Sequence, residues 1–158
     1  MRARSIVTVV LAMVLCSVLA APAMANHTHT RPLISTAELT FIVTDPETGD
    51  GYWSGSVRGS VRGTMQMSGL DVYESGDPWV FTFTERFTIT TRCGRIEGYV
   101  IGIMPDMGFS SCGWVTNATG RWSKTLEWMV YQAGEVVESD GAYVARSHLV
   151  FMPSFAFH

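Results

Sequence analysis

Residues 80–91 read VFTFTERFTITT, and their alternation decides the fold class. Apolar side chains occupy one parity of this stretch and polar side chains the other. The apolar set is Phe81, Phe83, Phe87 and Ile89, and the polar set is Thr82, Thr84, Arg86, Thr88 and Thr90. A period of two is typical of a β-strand with one face in the core and the other in solvent. The stretch therefore predicts a long strand in an antiparallel sheet.

The segments on either side repeat this pattern. Further strands are expected near 39–44, 55–67, 95–103, 114–118, 123–131 and 142–151, separated by Gly, Asn and Asp residues typical of turns. No segment shows a helical stripe. The sequence thus predicts an all-β fold, a single up-and-down antiparallel β-barrel of seven to eight strands, with a β-sandwich as the alternative. Four glycines fall at strand positions expected to face the interior: Gly59, Gly63, Gly98 and Gly102. They favour the barrel, because glycine permits the sharp coiling of strands that a small barrel needs.

The amino terminus predicts export. Arg2 and Arg4 precede an apolar run of about fifteen residues, too short for a membrane span, and small residues at Ala23 and Ala25 provide a cleavage site. We therefore predict a signal peptide at 1–25, a flexible leader at 26–36 and a barrel domain at 37–158. The expected location is secreted, extracellular or periplasmic.

Charge restricts the partners of the exported chain. Removing Arg2 and Arg4 from 11 basic residues leaves 9 against 14 acidic residues, a net charge of −5. Without a basic cluster, we predict no nucleic-acid partner, and without a later long apolar segment no membrane association after cleavage. The oligomeric state stays open.

Two cysteines remain after cleavage, Cys93 and Cys112. Export to an oxidising compartment predicts a disulfide between them. Two thiols without nearby histidines fall short of a zinc site, so we predict no metal and no cofactor.

Glu85 breaks the alternation of its strand, because it shares the parity of the apolar side chains around it. A two-residue turn at Cys93-Gly94 would place Glu85 opposite Gly102, with room beside the carboxyl group. Burial would raise the pKa of Glu85 and make it a candidate acid, base or ligand anchor. A local bulge that turns the acid to solvent, or a structural pairing with an arginine, is the alternative.

The sequence contains no recognisable nucleophile, metal-binding or phosphate-binding motif, so whether the protein is an enzyme stays open, with a non-enzyme favoured. The leading hypothesis is a binding or scaffold module that holds a small apolar ligand inside the barrel. The expected lining is Val57, Val61, Phe81, Phe83, Glu85, Phe87 and Val100. The alternatives are a cyclase- or isomerase-like enzyme with Glu85 as its catalytic candidate, and an extracellular structural or interaction protein with a filled barrel.

The stretch VTNATGRW at 115–122 resembles the G-T-G-x-[YF] strand and turn of the allene oxide cyclase and dirigent barrels, and Gly141-Ala142-Tyr143 is similar to their later segment. This resemblance implies an eight-stranded antiparallel barrel with an apolar central pocket. In those families, cyclases isomerise a fatty-acid epoxide and dirigent proteins steer phenoxy-radical coupling. The resemblance supports the barrel and transfers no activity.

Overall fold

The computed structural model describes residues 31–74 and 80–154, which form a closed antiparallel β-barrel. Eight strands follow one another in chain order, and β1 pairs with β8 to close the ring. They are β1 Leu33–Asp45, β2 Asp50–Gly59, β3 Gly63–Glu74, β4 Val80–Thr91, β5 Gly94–Pro105, β6 Gly108–Ala118, β7 Met129–Ser139 and β8 Ala142–Met152. The predicted barrel is confirmed and the sandwich alternative is wrong. Within the described ranges, no helix has the length and apolarity needed to cross a membrane.

Alternate side chains of every strand fill the barrel. Phe87 and Ile89 of β4 are buried, for example, whereas Arg86 and Thr90 between and beside them are exposed. The largest fully buried side chains come from all eight strands and from the β2–β3 connection: Phe87, Phe151, Leu39, Met65, Ile89, Ile96, Leu149, Val57, Val61, Val100, Val115 and Val130. Burial of this apolar set is the main source of stability of the fold.

The β4–β5 hairpin differs from the expected one by two residues in register. Thr91 pairs with Gly94, so Arg92 and Cys93 form the turn, and Gly94 begins β5 with φ of +134°. As a result Phe87 lies opposite Gly98 and Phe83 opposite Gly102, with both rings over these glycines. The predicted pairing of Glu85 with Gly102 is wrong: Glu85 pairs with Val100 on β5 and with Gly69 on β3.

The two ends of the barrel differ. At one end, the connection from β6 to β7 contains a 3₁₀ helix, Gly120–Thr125, and the strand expected over 123–131 begins only at Met129. Trp122 and Trp128 of this connection are buried and belong to the core. The indole N–H of Trp122 donates to the Thr91 hydroxyl at 2.8 Å, which ties the connection to the β4–β5 turn. We call this the closed end.

The domain begins earlier than expected. β1 starts at Leu33, and Ser35 is already buried, so residues 33–36 of the expected leader belong to the barrel. The expected signal peptide at 1–25 and leader residues 26–30 lie outside the described residues, as does 155–158 at the other terminus.

The predicted disulfide is wrong: Cys93 and Cys112 are both free and exposed. Register explains why. Cys112 of β6 pairs with Ile101 of β5, seven residues beyond Gly94 where that strand begins. At about 3.3 Å per residue, this pairing holds Cys112 roughly 23 Å along the sheet from the turn that carries Cys93, whereas bridged Cα atoms lie within about 7 Å.

Candidate functional site

The second end of the barrel carries the β1–β2, β3–β4, β5–β6 and β7–β8 connections, and its inward side chains are only partly buried. We define the mouth as these inward residues: Phe41, Trp53, Phe81, Phe83, Glu85, Met104 and Phe109. Several of them pack on the buried core below while keeping some surface exposed. The mouth is therefore an apolar rim over a filled interior, with one carboxyl group in it.

Aromatic rings are held in the mouth by glycines on the neighbouring strands. Phe41 lies over Gly51 and stacks at a tilt on Trp53, with ring centroids 5.1 Å apart. Phe83 lies over Gly102 in the same way. A side chain at either glycine would displace the ring, so these positions set the orientation of the aromatic groups.

Glu85 lies on the inward side of β4, as its parity predicted. Burial raises the pKa of Glu85 to about 7, and a side-chain hydrogen bond with Trp53 opposes part of this rise. Gly69 faces it from β3, where an added Cβ would meet nothing within 4 Å. The room beside the carboxyl group that was expected from Gly102 is therefore supplied by Gly69. At neutral pH the group is close to half protonated, so it can donate or accept a hydrogen bond.

Two further polar side chains point inward near the mouth. The Ser111 hydroxyl is buried and has no hydrogen-bond partner among the residues that the structure describes. Ser111 of β6 pairs with Gly102 of β5, and Gly102 pairs with Phe83 of β4. Ser111 therefore lies two strands away from β4, a distance of about 10 Å across the sheet. Gln132 is buried beside it on β7 and donates to the Ser147 hydroxyl at 3.0 Å. Ser111 is therefore an inward polar group with spare hydrogen-bonding capacity.

The expected ligand-lining residues fall into two groups. Phe81, Phe83 and Glu85 lie in the mouth. The remaining four have at most 1% of their surface exposed and fill the core beneath it: Val57, Val61, Phe87 and Val100. Of these seven expected lining residues, all of them described by the structure, the three in the mouth expose surface to a molecule arriving from solvent.

Sequence reasoning missed Trp53 and Ser111. The signal was available for both, because Trp53 has the inward parity of Gly55 and Val57, and Ser111 has that of Gly113 and Val115. The hydrogen bond between Trp53 and Glu85, and the position of Ser111 two strands from β4, depend on the register of the barrel, which local patterns do not encode. Within 31–74 and 80–154, no three His, Cys, Asp or Glu side chains cluster in a way that could hold a metal ion.

Two surface clefts open on the outer wall, away from the mouth. One of about 380 Å³ is lined by Thr84, Arg86, Glu97, Gly98, Tyr99 and Thr116. The other, of about 220 Å³, is lined by Tyr52, Gln66, Met67, Ser68, Arg86 and Thr88. Arg86 separates the two, and most of their lining consists of outward polar side chains of neighbouring strands.

The raised pKa of Glu85 predicts a pH-dependent stability. The folded protein holds this proton more tightly than the unfolded chain, so the free energy of unfolding decreases as pH rises from about 4.5 to about 7. We expect Glu85→Gln to remove this decrease, and to make the protein more stable than wild type at pH 8 by up to about 3 kcal/mol. At pH 4 the two proteins should be nearly equal.

Urea unfolding of both proteins at pH 4 and pH 8 measures this difference. The exposed Glu135→Gln variant is the matched control and should follow wild type at both values. A Glu85→Gln variant that is less stable than wild type at pH 8 would contradict a buried, weakly paired carboxyl group.

Comparisons with known proteins return no match, whether with family models, curated proteins or solved structures.

Proposed function

We propose that the protein is an exported binding module that holds a small, mostly apolar molecule at the mouth of the barrel, with Glu85 as the polar anchor. The observation that carries the proposal is the half-buried Glu85 carboxyl group, with a pKa of about 7, among aromatic side chains at the end of the barrel opposite the β6–β7 connection. Binding sites for small molecules combine such apolar walls with a few directed polar groups.

The hydrogen-bond inventory of Glu85 supports this role. A carboxyl group has about four acceptor positions, and Trp53 supplies one side-chain hydrogen bond. Open space beside Gly69 leaves room for a ligand atom next to the remaining positions. A ligand that forms a hydrogen bond there would compensate the desolvation that raises the pKa.

The depth of the mouth defines the class of ligand. Phe87 and Val100 fill the interior below, so the ligand rests on the rings of Phe83 and Trp53 rather than entering the core. A flat or short apolar body with one polar atom fits this geometry. A long acyl chain threaded through the barrel does not.

Nile red is a suitable probe, because it is apolar, uncharged between pH 6 and 8, and has a carbonyl acceptor without a donor. It should bind the form of the protein in which Glu85 is protonated. With a pKa of about 7, that fraction falls about tenfold between pH 6 and pH 8, so we expect the apparent Kd to rise about tenfold. Fluorescence titration at the two pH values measures it.

Variants separate this site from other surfaces. Glu85→Gln should bind the dye equally at both pH values, since the amide always donates, whereas the exposed Glu38→Gln should keep the pH dependence of wild type. Phe83→Ala should weaken dye binding at both pH values. Dye binding that survives Phe83→Ala but is lost in the outer-wall variant Ile101→Lys would overturn the proposal.

The enzyme alternative has one observation in its favour, since a carboxyl group with a pKa near 7 is suited to proton transfer. It would act on a bound apolar substrate. A substrate whose turnover is lost in Glu85→Gln while its binding is retained would favour the enzyme over the binding module.

A further inference from the structure

The outer wall of the barrel is chemically uneven. On β2–β4 the outward side chains are mostly Ser, Thr, Gln and Arg. On β5–β7 they are mostly apolar, and we call this set the apolar band: Tyr99, Ile101, Ile103, Cys112, Trp114, Met129 and Tyr131. Ile101 is 52% exposed and Trp114 is 40% exposed. The band is therefore open to solvent and separate from the mouth.

Strand register makes the band continuous. Tyr99, Trp114 and Met129 are cross-strand neighbours in one row, and the Tyr99 and Trp114 rings lie 5.8 Å apart. Ile101, Cys112 and Tyr131 form the next row. The rows extend onto β8, where Met129 pairs with Met152 and Tyr131 with Val150. Four strands thus contribute to one apolar surface.

We infer that the apolar band is the contact between two copies of this chain. Four strands spaced by about 4.8 Å, with two to three outward residues along each, give a projected area of roughly 400 Å². Stable dimers bury about 800 Å² per partner and weak ones less. Two convex barrel walls meeting along this band would form a weak, reversible dimer.

Charge is compatible with a second copy as the occupant. No residue of the band carries a formal charge, so bringing two bands together sets no like charges against each other at the centre. The rim carries both signs, with Arg86 of β4 on one side and Glu135 of β7 on the other, both exposed. Glu135 lies six residues along β7 from Met129, which shares the row of Arg86. A two-fold axis that crosses the line between Arg86 and Glu135 at its midpoint and at a right angle sets Arg86 of each copy against Glu135 of the other.

Cys112 provides a chemical marker for the arrangement. It is free and exposed, and lies between Ile101 and Tyr131 in a central row of the band. In a two-fold contact, residues near the axis face their own copies. The two Cys112 thiols should therefore be close enough for a short bismaleimide to join them, whereas Cys93 at the β4–β5 turn should not cross-link.

Sedimentation equilibrium on the purified protein, from ~1 to ~300 µM, tests the dimer. We expect a monomer–dimer equilibrium with a Kd on the order of 10–100 µM. Ile101→Lys inserts an ammonium into the contact of each copy and should raise the Kd at least about tenfold. Ile42→Lys is the matched control, because Ile42 is 40% exposed on the outer face of β1, away from the band, and should leave the Kd within about twofold.

Near-UV circular dichroism verifies that both variants are folded, and cross-linking gives an independent measurement. Cys112→Ser should abolish the bismaleimide dimer and Cys93→Ser should retain it. Wild-type protein that stays monomeric at the highest concentration would overturn the inference. The inference would also be overturned if Ile42→Lys and Ile101→Lys weakened the dimer equally. Cross-linking that depends on Cys93 would overturn it as well.

Discussion

Replacing Gly113 by alanine is expected to unfold the barrel. Gly113 lies on the inward side of β6, opposite Val100 of β5 and Val130 of β7, and a Cβ atom there would overlap the carbonyl oxygen of Tyr99. This obstacle is backbone in a paired strand, so it cannot move aside as a side chain can. We expect a loss of at least about 4 kcal/mol, a large share of the total stability of a domain this size.

Gly69→Ala is the matched control for Gly113→Ala. Gly69 lies on β3 opposite Glu85, and a Cβ atom there would meet nothing within 4 Å. This substitution should change stability by less than about 1 kcal/mol. Thermal unfolding followed by circular dichroism compares the two variants. A Gly113→Ala protein that unfolds within a few degrees of Gly69→Ala would mean that the close approach of β5 and β6 is dispensable.

The second large effect is expected from Trp122→Ala at the closed end. The Trp122 side chain is 6% exposed, packs in the core and donates its indole N–H to Thr91. Removing the ring leaves a cavity in the core and removes the hydrogen bond that ties the β6–β7 connection to Thr91. We therefore expect the free energy of unfolding to fall by about 3–5 kcal/mol. Chemical denaturation of the variant measures this loss.

Two further tryptophan substitutions separate the contributions of the hydrogen bond and of the buried ring to this loss of stability. Trp122→Phe keeps most of the apolar volume but loses the hydrogen bond, and should cost about 1–2 kcal/mol. Trp114→Ala, on the outer wall where 40% of the side chain is exposed, should cost less than Trp122→Ala when measured in dilute protein. Equal losses for Trp114→Ala and Trp122→Ala would show that the connection does not support the core.

The order and type of the strands could be predicted because burial alternates along them. Phe81, Phe83, Phe87 and Ile89 all lie on the inward side of β4, as their parity predicted. The register of the β4–β5 hairpin was harder to predict. Gly94 was expected in the hairpin turn, but it begins β5, where a Cβ atom would overlap the Thr119 carbonyl oxygen at the start of the β6–β7 connection. That requirement comes from a residue 25 positions away, so the local turn pattern could not reveal it.

The disulfide prediction failed for a related reason. An oxidising compartment and two thiols favour a disulfide, but neither depends on where the cysteines lie in a sheet. The pairing of Cys112 with Ile101 determines the separation of the thiols, and it follows from the tight β5–β6 connection at residues 106–107. The sequence marks that turn by Pro105-Asp106, and counting residues back along β6 from it would have excluded the bridge.

The candidate site could be predicted only in part. Glu85 was identified because it is the one acidic residue among the inward apolar positions of β4. Its raised pKa agrees with the burial expected from that position. The connection between β6 and β7 was predicted as a strand over 123–131, so the closed end, and therefore the contrast between the two ends, was not foreseen. The inward parity of Ser111 could be read from the sequence, but its lack of a hydrogen-bond partner among the described residues depends on its neighbours on β5 and β7.

Closure of the ring by β1 and β8 has a consequence for folding kinetics. Leu33 pairs with Phe151, so the contact that completes the barrel joins residues at nearly opposite ends of the described chain. The seven hairpin pairings can form locally, but closing the ring carries the largest loop-closure entropy. Until Phe151 is in place, β1 and β8 each expose an unpaired edge that can recruit another chain, so the interval before closure is when the molecule is most prone to aggregate.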